Sequence, residues 1–169
     1  MSLEDTKEFK HHIKTLPLID NVYKTIWSNS KIKRFEYSAN IILDKEYHID
    51  TEITLQNGSK ILGQEKCLSA EFSKYQTFTT EFYQNESTKE KGEFFNLAAQ
   101  FYFHGYANKD YSDLTHWYIF RVLDLMLWLE YMSEQKLAYT TRPAGGSRAS
   151  FLYIPYRDIP EQIIVAKKP

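Results

Sequence analysis

Apolar side chains recur with two different periods along the chain, and the change of period separates a helical beginning from a strand-rich middle. Between residues 18 and 28 the apolar positions are close to 3.6 residues apart, which predicts an amphipathic helix. Pro17 suits the first turn of a helix, so we expect this helix to start there, after a short charged helical stretch at 8–14. At 34–40 and 47–55 apolar and polar residues alternate, which predicts two strands.

The second alternating run ends at the strongest turn signal in the sequence. Asn57-Gly58 follows it and precedes another run with an apolar frame, at 60–69. Asn-Gly between two such runs indicates a β-hairpin. Gln64 and Lys66 are two residues apart on the second strand and therefore point to the same side. Folding at the turn brings Asp50 close to them, so one patch is predicted to hold a carboxylate, an amide and an ammonium group.

The rest of the chain alternates further predicted strands and helices. A continuous apolar run at 92–105 predicts a buried helix, which ends at His104 as a capping cation or a core residue, and Asp124 is placed to cap a helix at 125–135. Strands are predicted at 76–84, 115–123 and 151–155. The order α, β-hairpin, β, α, β, α, β predicts a mixed sheet flanked by helices, in the α/β or α+β class.

Composition narrows this picture to one domain of ordinary globular character. The 169 residues are 43% hydrophobic and 25% charged, so we expect a single domain over 1–169 with a core at about 17–129. A C-terminal extension at 137–169 contains a Gly/Arg loop at 139–150. The N-terminus lacks an apolar leader and no apolar run is long enough to span a bilayer, so a cytoplasmic protein without a membrane partner is expected. The single cysteine, Cys67, excludes an intrachain disulfide and is expected to be buried.

The charge balance argues against a chain that is basic throughout. Net charge is −1 and the pI is near 6.5, so any contact with nucleic acid would need a local basic face. The candidates lie before the first strand, at Lys74, and on both sides of the glycine pair: Lys31, Lys33, Arg34, Lys74, Arg142 and Arg148. Ordinary solvated surface charge is the alternative interpretation of these residues. Two acids, Glu81 and Glu93, have no role that the sequence indicates, beyond a favourable interaction of Glu93 with a helix dipole.

The predicted hairpin patch suits metal-assisted hydrolysis. Carboxylate and amide oxygens, as on Asp50 and Gln64, are hard ligands for Mg²⁺. A bound divalent ion activates water and neutralises charge on a phosphate, and an adjacent lysine such as Lys66 orients or deprotonates that water, or stabilises the developing charge. The alternative is a solvated hairpin face with a cross-strand ion pair.

Asp50, followed after the turn by Gln64-Glu65-Lys66 in an apolar strand, resembles the active-site hairpin of the PD-(D/E)XK (restriction-endonuclease-like) nuclease superfamily, especially its small phage and prophage members. The resemblance covers roughly 17–129. It implies a phosphodiester hydrolase that uses Mg²⁺ or Mn²⁺ and acts on nucleic acid, with DNA as the first expectation. By analogy with nucleases that pair to cut two strands, it also suggests a homodimer.

The resemblance also implies roles for individual residues. Asp50, Gln64 and the backbone carbonyl of Glu65 would bind the metal ion, Lys66 would be the catalytic lysine, and Asp20 from the first helix would add an acid. The chain departs from the family at two positions: Ile49 stands where the family has proline, and Gln64 stands where it has an acid, which weakens metal binding. Glu65 supplies a carboxylate after a local twist or pairs with a cation on the opposite face.

Two other functions stay open at this point. A nuclease fold with a weak or inactive site would serve as a DNA-binding or protein-interaction module. An unrelated α+β scaffold would hold an aromatic ligand pocket, favoured by the 16% aromatic content.

Overall fold

Two β-sheets and three α-helices make up the part of the chain that the computed structural model describes, which comprises residues 7–35, 43, 46–134, 141–143 and 148–169. The helices are α1 (Lys7–Ile26), α2 (Glu93–Asn96) and α3 (Val122–Glu134). The strands are β1 (Lys31–Arg34), β2 (Thr51–Thr54), β3 (Lys60–Leu68), β4 (Thr77–Asn85), β5 (Glu90–Lys91), β6 (Phe101–Ala107), β7 (Leu114–Arg121), β8 (Thr141–Pro143), β9 (Ser150–Pro155) and β10 (Ile164–Lys168). Short 3₁₀ turns lie at Ala70–Tyr75, Tyr156–Asp158 and Glu161–Ile163. The predicted class, mixed α and β with a mixed sheet, is confirmed.

The larger sheet has the strand order β1-β2-β3-β6-β7-β10, and the smaller sheet has the order β5-β4-β9-β8. All neighbours are antiparallel except β3 and β6, which run parallel. A parallel pair needs a long crossover connection, and here β4, β5 and α2 lie in that connection. One face of the larger sheet packs against α1 around Tyr23 and Phe103, and the other packs against the smaller sheet around Tyr102 and Phe78. The central strands are therefore covered on both sides.

The predicted hairpin at Asn57-Gly58 is confirmed. Gly58 adopts a left-handed conformation with φ of +82°, which glycine accepts without steric cost. The ladder pairs Thr51 with Gly63 and Thr54 with Lys60. This register determines which side chains of β2 and β3 meet.

The first helix differs from the sequence prediction, because α1 runs through Pro17 without a break. A proline inside a helix removes one hydrogen bond and crowds the preceding turn. Here Thr15 and Ile19, on either side of Pro17, are both almost fully buried. Burial on both sides outweighs the local cost of the proline, so the expectation of a separate helix beginning at Pro17 is wrong.

The predicted buried helix at 92–105 is also wrong. Only one helical turn, α2, forms there, and the chain then enters β6, in which all seven residues are buried. A strand that is covered on both faces carries a continuous apolar run without a period of two, and such a run does not differ by periodicity from a buried helix. His104 is accordingly a core residue and caps no helix.

The remaining strands lie close to their predicted positions, and the differences concern the ends of elements. The strands predicted at 76–84, 115–123 and 151–155 correspond to β4, β7 and β9. α3 begins directly after β7, so Asp124 lies in its first turn and pairs with Arg121. β10 was not predicted. Residues 36–40 of the first predicted strand and half of the Gly/Arg loop, with its glycine pair, lie outside the described residues. Thr141–Pro143 of that predicted loop form β8. No helix in the described ranges combines the length and apolar character needed to cross a bilayer.

His104 occupies the centre of the inter-sheet core and has no exposed surface. Its Nδ1 contacts the hydroxyl of Tyr156, and its Nε2 accepts a hydrogen bond from the backbone N–H of Thr79 at 3.2 Å. Burial, with a smaller contribution from the charge of Lys66, holds the pKa of His104 well below its usual value. The folded protein therefore contains a neutral imidazole, with its proton on Nδ1 because Nε2 accepts.

The neutral state of His104 predicts a loss of stability in mild acid. Unfolded histidine has a pKa near 6.5, so below about pH 6.5 the unfolded chain binds a proton that the folded chain excludes. The free energy of unfolding should be fully present above that pH and should decline as the pH falls. Urea denaturation between pH 5 and 8 measures this. The His104→Gln variant should show a flatter dependence; an unchanged slope would contradict the assignment.

Candidate functional site

Gln64 and Lys66 lie on the face of β3 that points towards the smaller sheet. Leu62 and Leu68, which lie on the same face of the strand, pack into the inter-sheet core. The Nζ atom of Lys66 lies 4.7 Å from the ring centre of Phe151 on β9. The structure therefore brings Gln64 and Lys66 together at the boundary between the sheets, as their spacing predicts.

Asp50 lies one residue before β2 and continues the ladder. Its backbone N–H donates to the carbonyl of Gly63 at 2.9 Å, and its carbonyl accepts from Phe35 at 2.9 Å. This register places Asp50 across from Gln64. The Oδ2 atom accepts a hydrogen bond from the backbone N–H of Glu65 at 2.7 Å. A buried carboxylate is thus held against the backbone of β3 beside the predicted patch.

Two further carboxylates, on Glu81 and Glu93, lie within electrostatic reach of Lys66. Burial lowers the pKa of Lys66, and the charges of Glu93 and Glu81 oppose that shift. Burial and the charge of Glu93 raise the pKa of Glu81, while Lys66 and His48 oppose the rise. Lysine and carboxylates in a partly desolvated cleft are typical of functional sites. These two acids are the part of the site that the sequence did not predict.

Glu93 follows the short turn that joins β5 to α2, and Glu81 on β4 lies against that turn. The Oε1 atom of Glu93 accepts a hydrogen bond from the hydroxyl of Tyr102 at 2.6 Å. Gly92 lies against Glu81, and a Cβ atom at this position would come within 2.9 Å of the Glu81 carboxylate. Glycine therefore lets the two acids approach each other closely.

The side-chain oxygen of Gln64 is one of the unsatisfied buried polar atoms in the described part of the protein; Thr80 Oγ1 and Ser150 Oγ on the smaller sheet are others. Gln64 is 9% exposed, and its Oε1 atom is buried without a hydrogen-bond partner in the described part of the protein. Buried polar atoms are nearly always paired, so an unpaired one calls for an explanation such as a bound ion or water. Gln64 fits the role of a ligand whose partner comes from outside the chain.

The opposite face of β3 carries a different charged cluster, which we call the α1-side ion cluster: Asp20, Arg34 and Glu65, with the Tyr23 hydroxyl beside them. Arg34 donates to both Glu65 and Asp20. The side chain of Glu65 is 1% exposed. Its pKa is raised by burial, and Arg34 opposes this rise. Glu65 therefore pairs with a cation on the opposite face, one of the two outcomes considered for it.

Asp20 belongs to the same cluster and so lies across the sheet from Gln64 and Lys66. Its carboxylate contacts Arg34. Asp20 therefore does not join the Asp50, Gln64 and Lys66 patch, to which the resemblance assigns it. Glu65 likewise directs its side chain away from that patch. Only its backbone carbonyl would be left as the predicted metal ligand, and that role stays a prediction.

The predicted nucleic-acid-binding residues are spread over the protein. Arg34 is engaged with two carboxylates and its side chain is 13% exposed. Lys31 and Lys33 are exposed on β1, an edge strand of the larger sheet. Lys74 and Arg148 are exposed, and the side chain of Arg142 lies outside the described residues. Among these, Lys31, Lys33, Lys74 and Arg148 keep exposed charges that a phosphate can reach.

Comparisons with known proteins add no assignment, because no family model, no curated protein and no solved structure matches the chain. Within the described ranges, no three His, Cys, Asp or Glu side chains form a group that would hold a metal ion by themselves.

The α1-side ion cluster predicts a large effect of removing Arg34. The Arg34→Met variant leaves Glu65 buried without its cation, and breaking such a pair from one side costs about 3–5 kcal/mol. Urea denaturation should show this loss, and the double variant Arg34→Met/Glu65→Leu should recover most of it. Asp20→Asn is the matched control, because Asp20 is 32% exposed and should cost about 1 kcal/mol or less. Equal losses in the single and double variants would contradict a buried ion pair.

Proposed function

We propose that this protein is a divalent-metal-dependent phosphodiester hydrolase that acts on nucleic acid, with DNA as the first substrate to test. The observation that carries the proposal is the arrangement on one hairpin. Asp50 lies across from Gln64, whose oxygen is buried and has no hydrogen-bond partner among the described residues. Lys66 follows on the same face, within reach of Glu81 and Glu93. These are the groups that hydrolysis of a phosphodiester requires.

The oxygen atoms in this patch fit a hard divalent cation. Asp50 and Gln64 would hold Mg²⁺ or Mn²⁺, because Mg²⁺ usually keeps several waters and binds through few protein groups. When bound, the ion supplies an activated water and neutralises charge on the phosphate. The unpaired Oε1 atom of Gln64 supports this fit. The Asp50 carboxylate, which accepts the Glu65 N–H, would supply the charged ligand.

Lys66 is the group that we place nearest the reacting phosphate. The ring of Phe151 and the burial of the aliphatic stem fix its position. Because burial lowers its pKa, Lys66 loses its proton more readily than a solvated lysine does. In the neutral form it orients or deprotonates water, and in the charged form it stabilises the phosphate oxygens in the transition state.

Glu81 and Glu93 compensate for the neutral Gln64, which stands where the family has an acid. An amide in place of an acid lowers the negative charge of the patch, and two carboxylates nearby restore negative charge at the same cleft. Tyr102 holds Glu93 by its hydrogen bond. These acids orient Lys66 through its charge and raise the local attraction for a cation.

A second candidate function is a DNA-binding or protein-interaction module without turnover. One observation favours it: no group of three acidic, His or Cys ligands is present in the described part of the chain. In that case Asp50 would serve only to fix the backbone of β3, because its carboxylate accepts the Glu65 N–H.

Cleavage of a labelled DNA strand and of its duplex, with Mg²⁺ or Mn²⁺, tests the first proposal. Lys66→Ala should lower the rate by about a hundredfold or more, and Asp50→Asn should lower both the rate and the affinity for Mn²⁺ measured by calorimetry. Lys60→Ala is the matched control, because Lys60 is an exposed lysine on the same strand. Wild-type rates in both Lys66→Ala and Asp50→Asn would refute the site. A protein that binds DNA but never cleaves it would favour the second candidate.

The role of Glu93 is tested by removing its charge or its support. Glu93→Gln should lower the cleavage rate about tenfold or more, since groups that orient a reacting residue typically contribute 10–100-fold. Tyr102→Phe keeps the carboxylate and removes one hydrogen bond, so its effect should be smaller. Glu90→Gln, an exposed acid on β5, is the control and should leave the rate unchanged. A rate in Glu93→Gln equal to that of the control would place Glu93 outside the site.

A further inference from the structure

A surface of aromatic rings and lysines lies next to the candidate site, on the β4–β5 hairpin and α2. We call it the ring surface and define it by Tyr83, Lys89, Lys91 and Phe95. The rings of Tyr83 and Phe95 are stacked, with centres 6.2 Å apart and planes inclined by 27°. Nζ of Lys89 lies 4.7 Å from the Tyr83 ring centre, and Nζ of Lys91 lies 5.3 Å from that of Phe95.

The ring surface is accessible and carries two lysines. Phe95 is 37% exposed, and Lys89 and Lys91 are exposed. Lys89 pairs with Glu86, whereas Lys91 forms no ion pair with any described residue. Lys91 lies across the ladder from Tyr83, and Glu90 lies across from Asn85, with a register shift between the two pairs. The pairing sets Lys91 beside Tyr83 and next to the ring of Phe95.

The chain connects the ring surface directly to the candidate site. Glu93 follows Lys91 by two residues, and Glu81 precedes Tyr83 by two. Two strand residues span about 7 Å, so the ring surface lies about one such step along the chain from each of the two acids that act on Lys66. The rings therefore lie where a neighbouring nucleotide of a bound substrate would be.

We infer that the ring surface binds an unpaired base and its phosphate, so that the enzyme prefers single-stranded nucleic acid or a strand end with an unpaired nucleotide. The inference rests on the proposed function. Every base has a π face that stacks on an aromatic side chain, and lysines beside the ring contact the backbone. A paired base inside a duplex keeps its faces against its neighbours and is not available. An exposed cation–π contact is weaker than a base–aromatic stack, so a base can replace the lysine over Phe95 while the ammonium group moves to the phosphate.

Fluorescence anisotropy with a labelled single strand of about 15 nucleotides, and with its duplex, tests the inference. The measurement is made in EDTA, where no cleavage occurs. Phe95→Leu should weaken single-strand binding about fivefold or more and should leave duplex binding unchanged. Lys91→Gln should weaken it as well and should reduce the slope of log affinity against log salt by about 0.7. Phe72→Leu and Lys109→Gln, an exposed ring and an exposed lysine elsewhere, are the controls.

The outcomes separate this inference from the proposed function. Wild-type affinity in both Phe95→Leu and Lys91→Gln would overturn the inference, while cleavage that depends on Lys66 would still support the hydrolase. Equal losses for single strand and duplex would overturn the preference for an unpaired base. If binding depends on Phe95 and Lys91 but the wild type never cleaves, the ring surface stands and the hydrolase fails. Thermal unfolding of Phe95→Leu checks its fold, and Lys91→Gln tests the surface independently of that packing.

Discussion

The constraint on which this structure depends is that β3 is covered on both faces and nevertheless carries Gln64, Glu65 and Lys66 in succession. A buried charge is tolerated only when an opposite charge or a set of hydrogen bonds compensates it. Because neighbouring strand residues point to opposite sides, the glutamate and the lysine cannot neutralise each other. Each face of the sheet therefore has to supply its own partners.

The two faces meet this requirement in different ways, and the difference distinguishes the α1-side ion cluster from the candidate site. On the α1 side, Arg34 contacts both Glu65 and Asp20, so each carboxylate has a cation partner within the protein. On the side of the smaller sheet, Lys66 lies near Glu81 and Glu93, and the oxygen of Gln64 has no hydrogen-bond partner among the described residues. Direct ion pairs to Arg34 therefore hold the α1-side ion cluster, whereas a neutral amide and a partly buried lysine make up the candidate site.

The sequence predicted the hairpin well because its signal is local, whereas the rest of the site depends on contacts between distant segments. Asn57-Gly58 and the alternation around it determine the register that sets Asp50 across from Gln64. No local pattern indicates that 92–105 contains a turn and a central strand, since burial on both faces removes the period. A helix over that run would have no turn at Gly92. Without that turn, nothing in the prediction brings Glu93 close to Glu81. Asp20 was assigned by analogy alone, and Arg34 holds it on the other face.

The crossover between β3 and β6 explains why site and ring surface occur side by side. Parallel strands need a long connection, and a single helix would cover the sheet with one apolar stripe. Here the connection forms β4, which pairs with β9, and β5, which pairs with β4, so it can extend past the edge of the core and still satisfy its backbone hydrogen bonds. Its inner part packs Phe78 between the sheets, and its outer part carries Glu81, Glu93 and the rings of Tyr83 and Phe95. One connection thus closes the core and displays polar and aromatic groups at the rim next to Lys66.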